Sequence, residues 1–146
     1  MNELSDSDIR EICKKLHLPL CGVVTKDKLS HLSNGYYIVN MQSSKDGNGT
    51  HWCCCLIDCE KYNFWFDSFG FPAPEEVTEK IEPYIFNHKD IQDIDTSSCG
   101  YYCIAFIKFL NGKENKELYF KKFVNLFSKD TAKNEKILYN YLYLEK

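Results

Sequence analysis

The chain lacks any uninterrupted apolar run of the roughly 18 residues that a membrane-spanning helix needs. Its first residues also lack a basic segment followed by an apolar core, which is the pattern of a secretory signal. Internal repeats, low-complexity tracts and linkers are absent as well. We therefore expect one domain over residues 1–146, a monomer that contacts no membrane and acts inside the cell.

The chain has no excess of positive charge either, since its formal net charge is −3 at pH 7. That balance argues against a dedicated nucleic-acid binder. Apolar residues make up 44% and charged residues 27%, as in soluble globular proteins with a core of their own. Because the expected compartment is reducing, the eight cysteines are expected to be thiols rather than a disulfide framework.

Hydrophobic periodicity predicts helices and short strands that are largely segregated along the chain. The predicted helices cover residues 6–16, 75–84, 99–110, 114–127 and 131–142. The predicted strands cover residues 36–41, 52–57, 62–66 and 87–91, with a turn at 47–49. The helix at 99–110 is apolar almost all round, which indicates a buried central helix. The order predicts an α+β domain with a small mixed sheet packed on that helix.

Cys99 has the surroundings of a reactive thiol. It stands at the predicted start of the buried helix, directly after Ser98 and before Gly100. The positive end of the helix dipole and the backbone N–H groups of a first turn both favour a thiolate. Gly100 would leave room for a substrate backbone beside the sulfur. Cys103 lies one turn further along and is interpreted as a core residue.

His51 is the best-placed partner for this thiol. It precedes the most apolar strand, and Trp52 beside it can shield an imidazole–thiolate pair from water. The other three histidines fall in polar surroundings typical of the surface. His51 is therefore the predicted general base, which holds the proton and returns it to the leaving amine. Trp52 and Gly100 are predicted to contact the substrate.

Two acids compete for the role of orienting His51. Asp58 ends the strand that His51 begins, so it should lie about 20 Å away along an extended chain. Asp67 ends the next strand, and the turn between the two strands brings that end back beside the histidine. Asp67 is the better candidate, and it would fix the imidazole tautomer and stabilise the imidazolium.

Gln92 stands seven residues before Cys99. A side-chain amide can donate to a developing oxyanion without changing its protonation state. The chain order His51, Asp67, Gln92, Cys99 then supplies a base, its orienting acid, an oxyanion donor and a nucleophile. These four residues predict a cysteine protease.

The same residues carry a resemblance to a known family. The chain resembles the adenovirus-type cysteine endopeptidases (adenain-like) within the Ulp1-like superfamily, over about residues 40–110. The Phe69-Gly70 pair and the seven-residue spacing favour the viral branch over the SUMO-removing branch. The motifs are Gly49-Thr50-His51-Trp52, Asp67-Ser68-Phe69-Gly70, Gln92 and Cys99-Gly100-Tyr101-Tyr102-Cys103.

The resemblance implies a papain-like fold in permuted order, with His51, Asp67 and Cys99 as the catalytic triad and Gln92 in the oxyanion hole. It implies an endopeptidase that cleaves viral or virus-like precursor proteins at Gly-Gly or Gly-x-Gly sites during particle maturation, in the host cell and the virion. A peptide or DNA activator is known in the family, but nothing in this sequence requires a cofactor. No cysteine lies between Cys59 and Cys99 to tether an activating peptide by a disulfide, and the acidic first two-thirds of the chain does not favour DNA.

Three other functions remain open on the sequence. A deubiquitinating or SUMO-removing isopeptidase would share the chemistry but recognise a folded modifier. A relative without catalytic activity would only bind its partner, which four intact catalytic positions argue against. A zinc-binding module would use Cys53, Cys54, Cys55 and Cys59, but adjacent strand residues point to opposite faces and cannot share one tetrahedral site. No metal ligand is therefore predicted.

Overall fold

The computed structural model describes residues 2–42, 51–58 and 60–143, so the predicted turn at 47–49 and Cys59 lie outside the described residues. In the described chain no helix is both long enough and apolar enough to cross a membrane. The helices are α1 (Asp6–Lys15), α2 (Glu75–Ile81), α3 (Cys99–Leu110), α4 (Lys116–Asn125) and α5 (Asn134–Tyr143), with short 3₁₀ helices at Lys26–Lys28 and Thr131–Lys133. The strands are β1 (Leu20–Thr25), β2 (Gly35–Asn40), β3 (Trp52–Ile57), β4 (Asn63–Phe66) and β5 (Tyr84–Phe86).

The five described strands form one mixed sheet in the order β1-β2-β3-β4-β5. The outer pairs, β1 with β2 and β4 with β5, are parallel, and β3 runs antiparallel to both of its neighbours. In that register Asn40 lies opposite Trp52, and Cys54 lies opposite Phe66. The start of β3 and the end of β4 therefore meet at the same edge of the sheet.

The central strand β3 is buried on both faces, and its side chains alternate between two apolar layers. Cys54 packs in the layer formed with α1, α3, α4 and α5. Cys53 and Cys55 pack in the opposite layer, which includes Val77 and Ile81 of α2. This alternation is the reason that the three adjacent cysteines cannot converge on one metal ion.

The helix α3 forms the centre of the larger layer. Nine of its residues are buried, and the ring of Phe106 stacks on Phe66 of β4 with ring centroids 5.2 Å apart. Phe123 of α4 packs edge-on against Phe106 at 5.7 Å. The predicted fold class, an α+β domain with a small mixed sheet packed on a buried central helix, is confirmed. In chain order, the helix that carries Cys99 follows the strands next to His51 and Asp67.

Local sequence signals account for where the first helix begins. Ser5 accepts a hydrogen bond from the Asp8 N–H at 3.1 Å, while its own N–H donates to the Asp8 carboxylate at 3.0 Å. This reciprocal capping box satisfies two backbone donors at the start of α1. The helix predicted over residues 6–16 is therefore present, with its end at Lys15.

The clearest differences from the structure concern two predicted elements and one strand that was not predicted. The helix predicted over residues 75–84 ends at Ile81, because Pro83 disfavours helical geometry at Glu82. Residues 87–91, which the structure describes, form no strand, and Tyr84–Phe86 pairs with β4 instead. The sequence also missed β1, whose six residues include a glycine and a polar end.

Candidate active site

The sheet edge brings His51 and Asp67 together. His51 directly precedes β3 and Asp67 directly follows β4, and the antiparallel pairing of the two strands places these residues side by side. His51 Nε2 lies 2.9 Å from Asp67 Oδ1. Asp58 lies at the opposite end of β3, where its N–H donates to Asn63 Oδ1 at 2.9 Å. The structure thus brings Asp67, and not Asp58, to the histidine.

Cys99 is the first residue of α3 and reaches the same edge of the sheet. Its Sγ accepts a hydrogen bond from the Trp52 backbone N–H at 3.3 Å, and its side chain also hydrogen-bonds to His51. Only 2% of Cys99 is exposed. A backbone donor on the sulfur stabilises a thiolate and fixes the sulfur beside the imidazole.

The surroundings of His51 favour its protonated form. Burial lowers the pKa of His51, but hydrogen bonds and charges from Asp67 and Cys99 outweigh that effect and raise its pKa to about 9. An imidazolium beside a thiol is the charge pattern that favours an ion pair of imidazolium and thiolate. The group can therefore donate a proton to a leaving amine at neutral pH.

Asp67 is held in place by groups that sequence reasoning did not identify. Its Oδ1 also accepts from the Phe69 N–H at 2.8 Å, and the Phe69 ring lies against His51 with ring centroids 4.9 Å apart. The Asn87 side chain accepts from the Asp67 N–H at 3.0 Å and donates to the Asp67 carbonyl at 2.6 Å. Because Asn87 was assigned to a strand, its role as a backbone anchor had no sequence signal beyond its polar character. These bonds fix the carboxylate that faces the imidazole.

Gln92 is buried between the loop after β4 and the segment that leads to Cys99. Its Nε2 donates to Thr96 Oγ1 at 3.0 Å and to the Thr96 carbonyl at 3.2 Å, and its Oε1 accepts from Ser68 Oγ at 2.6 Å. The structure therefore places the Gln92 side chain beside Thr96, in the chain segment that precedes Cys99. The amide must turn from Thr96 before it can donate to an oxyanion.

The N-terminal segment covers the two residues that the sequence assigned to substrate contact. The Trp52 indole Nε1 donates to the Leu4 carbonyl at 2.9 Å. A Cβ added to Gly100 would lie 3.1 Å from Leu4 Cδ1, so the space beside this glycine holds Leu4 rather than an open channel. Trp52 and Leu4 also line a cavity of about 750 Å³ between α1 and β1.

The loops that carry Asp67 and Gln92 are joined by backbone contacts. The Ser68 carbonyl accepts from the N–H groups of Ile91 and Gln92 at 2.8 and 2.9 Å. Gly70 has a φ of +82°, and a Cβ there would lie 2.8 Å from the carbonyl carbon of Lys89. Only a residue without a side chain fits this close approach.

In the described part of the chain, one group of ligand-type side chains is close enough to hold a metal ion. The donor atoms of His51, Cys53 and Asp67 lie within 4.8 Å of one another. The thiol of Cys53 already hydrogen-bonds to Asp67, and burial, together with the charge of Asp67, raises the pKa of Cys53 well above its usual range. A neutral thiol is a poor metal ligand, so this group fits the triad better than a metal centre.

Comparison with protein-family models and with curated protein sequences found no match to this chain. Among solved structures, the chain is similar to one described as "AvrA delL154 with IP6, CoA", with 19% sequence identity and a TM-score of 0.49. The similarity covers 86% of this chain and 53% of that chain, so this protein spans about half its length. This is a distant likeness of fold, and it carries no information about substrate or reaction.

Proposed function

We propose that this protein is a cysteine endopeptidase in which Cys99 is the nucleophile, His51 the general acid and base, and Asp67 the residue that orients His51. One observation supports this most strongly: a single imidazole hydrogen-bonds to a buried carboxylate on one side and to a thiol at a helix N-terminus on the other. Nucleophile, base and orienting group in contact are the arrangement that acyl transfer requires.

The reaction proceeds through an acyl-enzyme. The Cys99 thiolate attacks the scissile carbonyl, and the oxyanion that develops meets the backbone donors at the first turn of α3. The His51 imidazolium then protonates the leaving amine, which departs and leaves a thioester. His51, now neutral, removes a proton from water as that water attacks the thioester, and the C–S bond then breaks to release the acid and restore the Cys99 thiolate beside the His51 imidazolium. Gln92 contributes a second oxyanion donor once its amide turns from Thr96.

The proposed substrates are precursor proteins of a virus or virus-like particle, cut at Gly-Gly or Gly-x-Gly sites. Trp52 is only 4% exposed, and Leu4 fills the space beside Gly100, so the approach to the sulfur is narrow. Glycine at the cut lets an extended backbone come close to Cys99 without a side-chain clash. The resemblance in sequence motifs to adenovirus-type endopeptidases supports the same substrates, and the proposal includes a monomer that acts within the host cell and the particle.

The decisive experiment is cleavage profiling with a diverse peptide library, followed by sequencing of the products. We expect cuts at glycine-containing sites with an aliphatic residue a few positions upstream. The Cys99→Ala variant should give no cuts, whereas Cys103→Ala, the same substitution one turn along α3, should keep the wild-type pattern. Processing of ubiquitin-like conjugates alone would support an isopeptidase instead, and cleavage by Cys99→Ala would refute the nucleophile assignment.

A further inference from the structure

Two hydroxyl groups at the start of α3 converge on one carboxylate of α5. Ser98, the residue directly before Cys99, donates its Oγ–H to Glu135 Oε1. Tyr102, one turn along the helix, donates its hydroxyl to Glu135 Oε2 at 3.1 Å. Ser98 and Tyr102 are both fully buried. Each oxygen of Glu135 therefore accepts a hydrogen bond from the start of α3, and the charge of the carboxylate strengthens both bonds.

The bond to Glu135 takes Ser98 away from its ordinary role. A serine at the N-cap position usually accepts a hydrogen bond from an N–H of the first turn. Within the described residues, Ser98 occupies that position in α3 without such a capping bond, at φ −92° and ψ 6°. Because the Ser98 hydroxyl faces Glu135, it does not accept a hydrogen bond from the backbone N–H groups of the first turn. The positive end of the helix dipole then acts on the Cys99 side chain.

The same end of α5 also holds the segment that carries Gln92. Asn134 is fully buried, and its Nδ2 donates to the Ile91 carbonyl at 2.8 Å and to the Ser128 carbonyl at 2.9 Å. Neighbouring residues of α5 thus contact the residue before Gln92 and the residue before Cys99. The first turn of α5 therefore connects the segment that carries Gln92 to the start of the helix that carries Cys99.

We propose that Glu135 is a positioning residue for Cys99: it fixes the first turn of α3 and keeps the Ser98 hydroxyl from capping that turn. The proposal rests on the proposed function only in taking Cys99 as the nucleophile. Burial, and then the nearby charge of Glu135, raise the pKa of Tyr102 well above its ordinary value. That shift agrees with a carboxylate that accepts a hydrogen bond from this hydroxyl.

The test compares Glu135→Ala with Glu135→Gln, Ser98→Ala and the double variant Ser98→Ala/Glu135→Ala. Glu117→Ala is the matched control, since Glu117 lies on α4 and, among the described residues, forms its ion pair with exposed Lys121 at 3.4 Å. Two quantities are measured for each folded variant: kcat and KM on a cleaved peptide, and the rate at which iodoacetamide alkylates Cys99 in the absence of peptide. Thermal unfolding midpoints give the folded fraction.

We expect Glu135→Ala to lower both kcat and the alkylation rate of Cys99 by about 10- to 100-fold with little change in KM, since a small displacement of a reacting group has effects of that size. Glu135→Gln should recover most of the loss, because an amide can still bond both hydroxyl groups. The double variant should lose no more than Glu135→Ala alone, since Ser98 acts through Glu135.

Three results would overturn the proposal: an alkylation rate per folded molecule that is unchanged in Glu135→Ala, additive losses in the double variant, or an equal loss in Glu117→Ala. The alkylation rate needs no peptide substrate. It therefore separates a failure of this proposal from a failure of the proposed peptidase activity, which would appear as absent cleavage by the wild type with Cys99 still reactive.

Discussion

The two halves of the site are built in different ways. His51 and Asp67 flank neighbouring strands, so the backbone register of β3 and β4 brings them to 2.9 Å of each other. Gln92 lies on an irregular segment, where its side chain donates to Thr96 and accepts from Ser68. Cys99 lies at a helix start, and Ser98 directly before it donates to Glu135. The first half is fixed by the sheet, whereas the second depends on hydrogen bonds of polar side chains outside the triad. Substitutions outside the triad should therefore reduce activity mainly through the second half.

The largest expected effect comes from removing the nucleophile. Cys99→Ala should lower kcat by at least about 10⁴-fold, because the rest of the triad cannot act without it. In the wild type, iodoacetamide near neutral pH should label Cys99 before Cys53 or Cys54, whose pKa values burial raises well above the usual range. Mass spectrometry of the labelled protein tests this. Labelling of Cys53 before Cys99, together with activity in the Cys99→Ala variant, would show that Cys99 is not the nucleophile.

In the half of the site that flanks the strands, substitutions of His51 and Asp67 should lower activity to different extents. His51→Ala should approach the loss seen for Cys99→Ala, because base and nucleophile act as a unit. Asp67→Asn should leave measurable activity, with a loss of about 10²- to 10⁴-fold, because it removes only the orienting charge. Steady-state kinetics decide between them. An Asp67→Asn loss as large as that of His51→Ala would mean that Asp67 does more than orient the ring.

In the second half, Gln92→Ala should lower kcat by about 10²-fold with little change in KM, as expected for the loss of one oxyanion donor. Thr96→Val is the informative neighbour, because it removes the 3.0 Å bond from Gln92 Nε2 to Thr96 Oγ1 and leaves only the 3.2 Å bond to the Thr96 carbonyl to hold the amide. We expect it to leave kcat unchanged or to raise it slightly. If Gln92→Ala instead raised KM and left kcat intact, Gln92 would have to be assigned to substrate binding.

The pH dependence should show the smallest effect and should identify His51. Since the pKa of His51 is about 9, kcat/KM should fall as the pH rises through that value, where the imidazolium that protonates the leaving amine disappears. Asp67→Asn should move this alkaline limb to lower pH, because the lost charge raises the pKa of His51 in the wild type. An unmoved limb would assign the titration to another group.

The same shift has a consequence for stability. The pKa of His51 is higher in the folded protein than its ordinary value of 6.5, so the folded state binds the proton more tightly. Its contribution to the free energy of unfolding is complete below about 6.5 and is lost as the pH rises through about 9. Unfolding midpoints of the wild type and His51→Ala should therefore converge at alkaline pH. A constant difference across this range would contradict the shift.

The sequence predicted the parts of the molecule that depend on periodicity. The bounds of β3 and α3 are those predicted, because β3 is a continuous apolar run and α3 is an almost wholly apolar one, each followed by polar residues. The choice of Asp67 over Asp58 followed from antiparallel geometry alone. The sequence could not predict β1, whose single buried residue is Val23. Nor could it predict the bonds of Asn87 and Glu135, because these residues lie 20 and 37 positions from their partners.

Gly70 sets a limit on how the molecule can change over evolution. Its Cα sits where any side chain would meet the backbone of Lys89 and Asp90 at 3.0 Å or less. Backbone cannot yield as the end of a flexible side chain can, so a substitution here must move one loop relative to the other. The two loops carry Asp67 and Gln92, which belong to different halves of the site. Gly70 is therefore a position that tolerates no larger residue unless these two loops move apart.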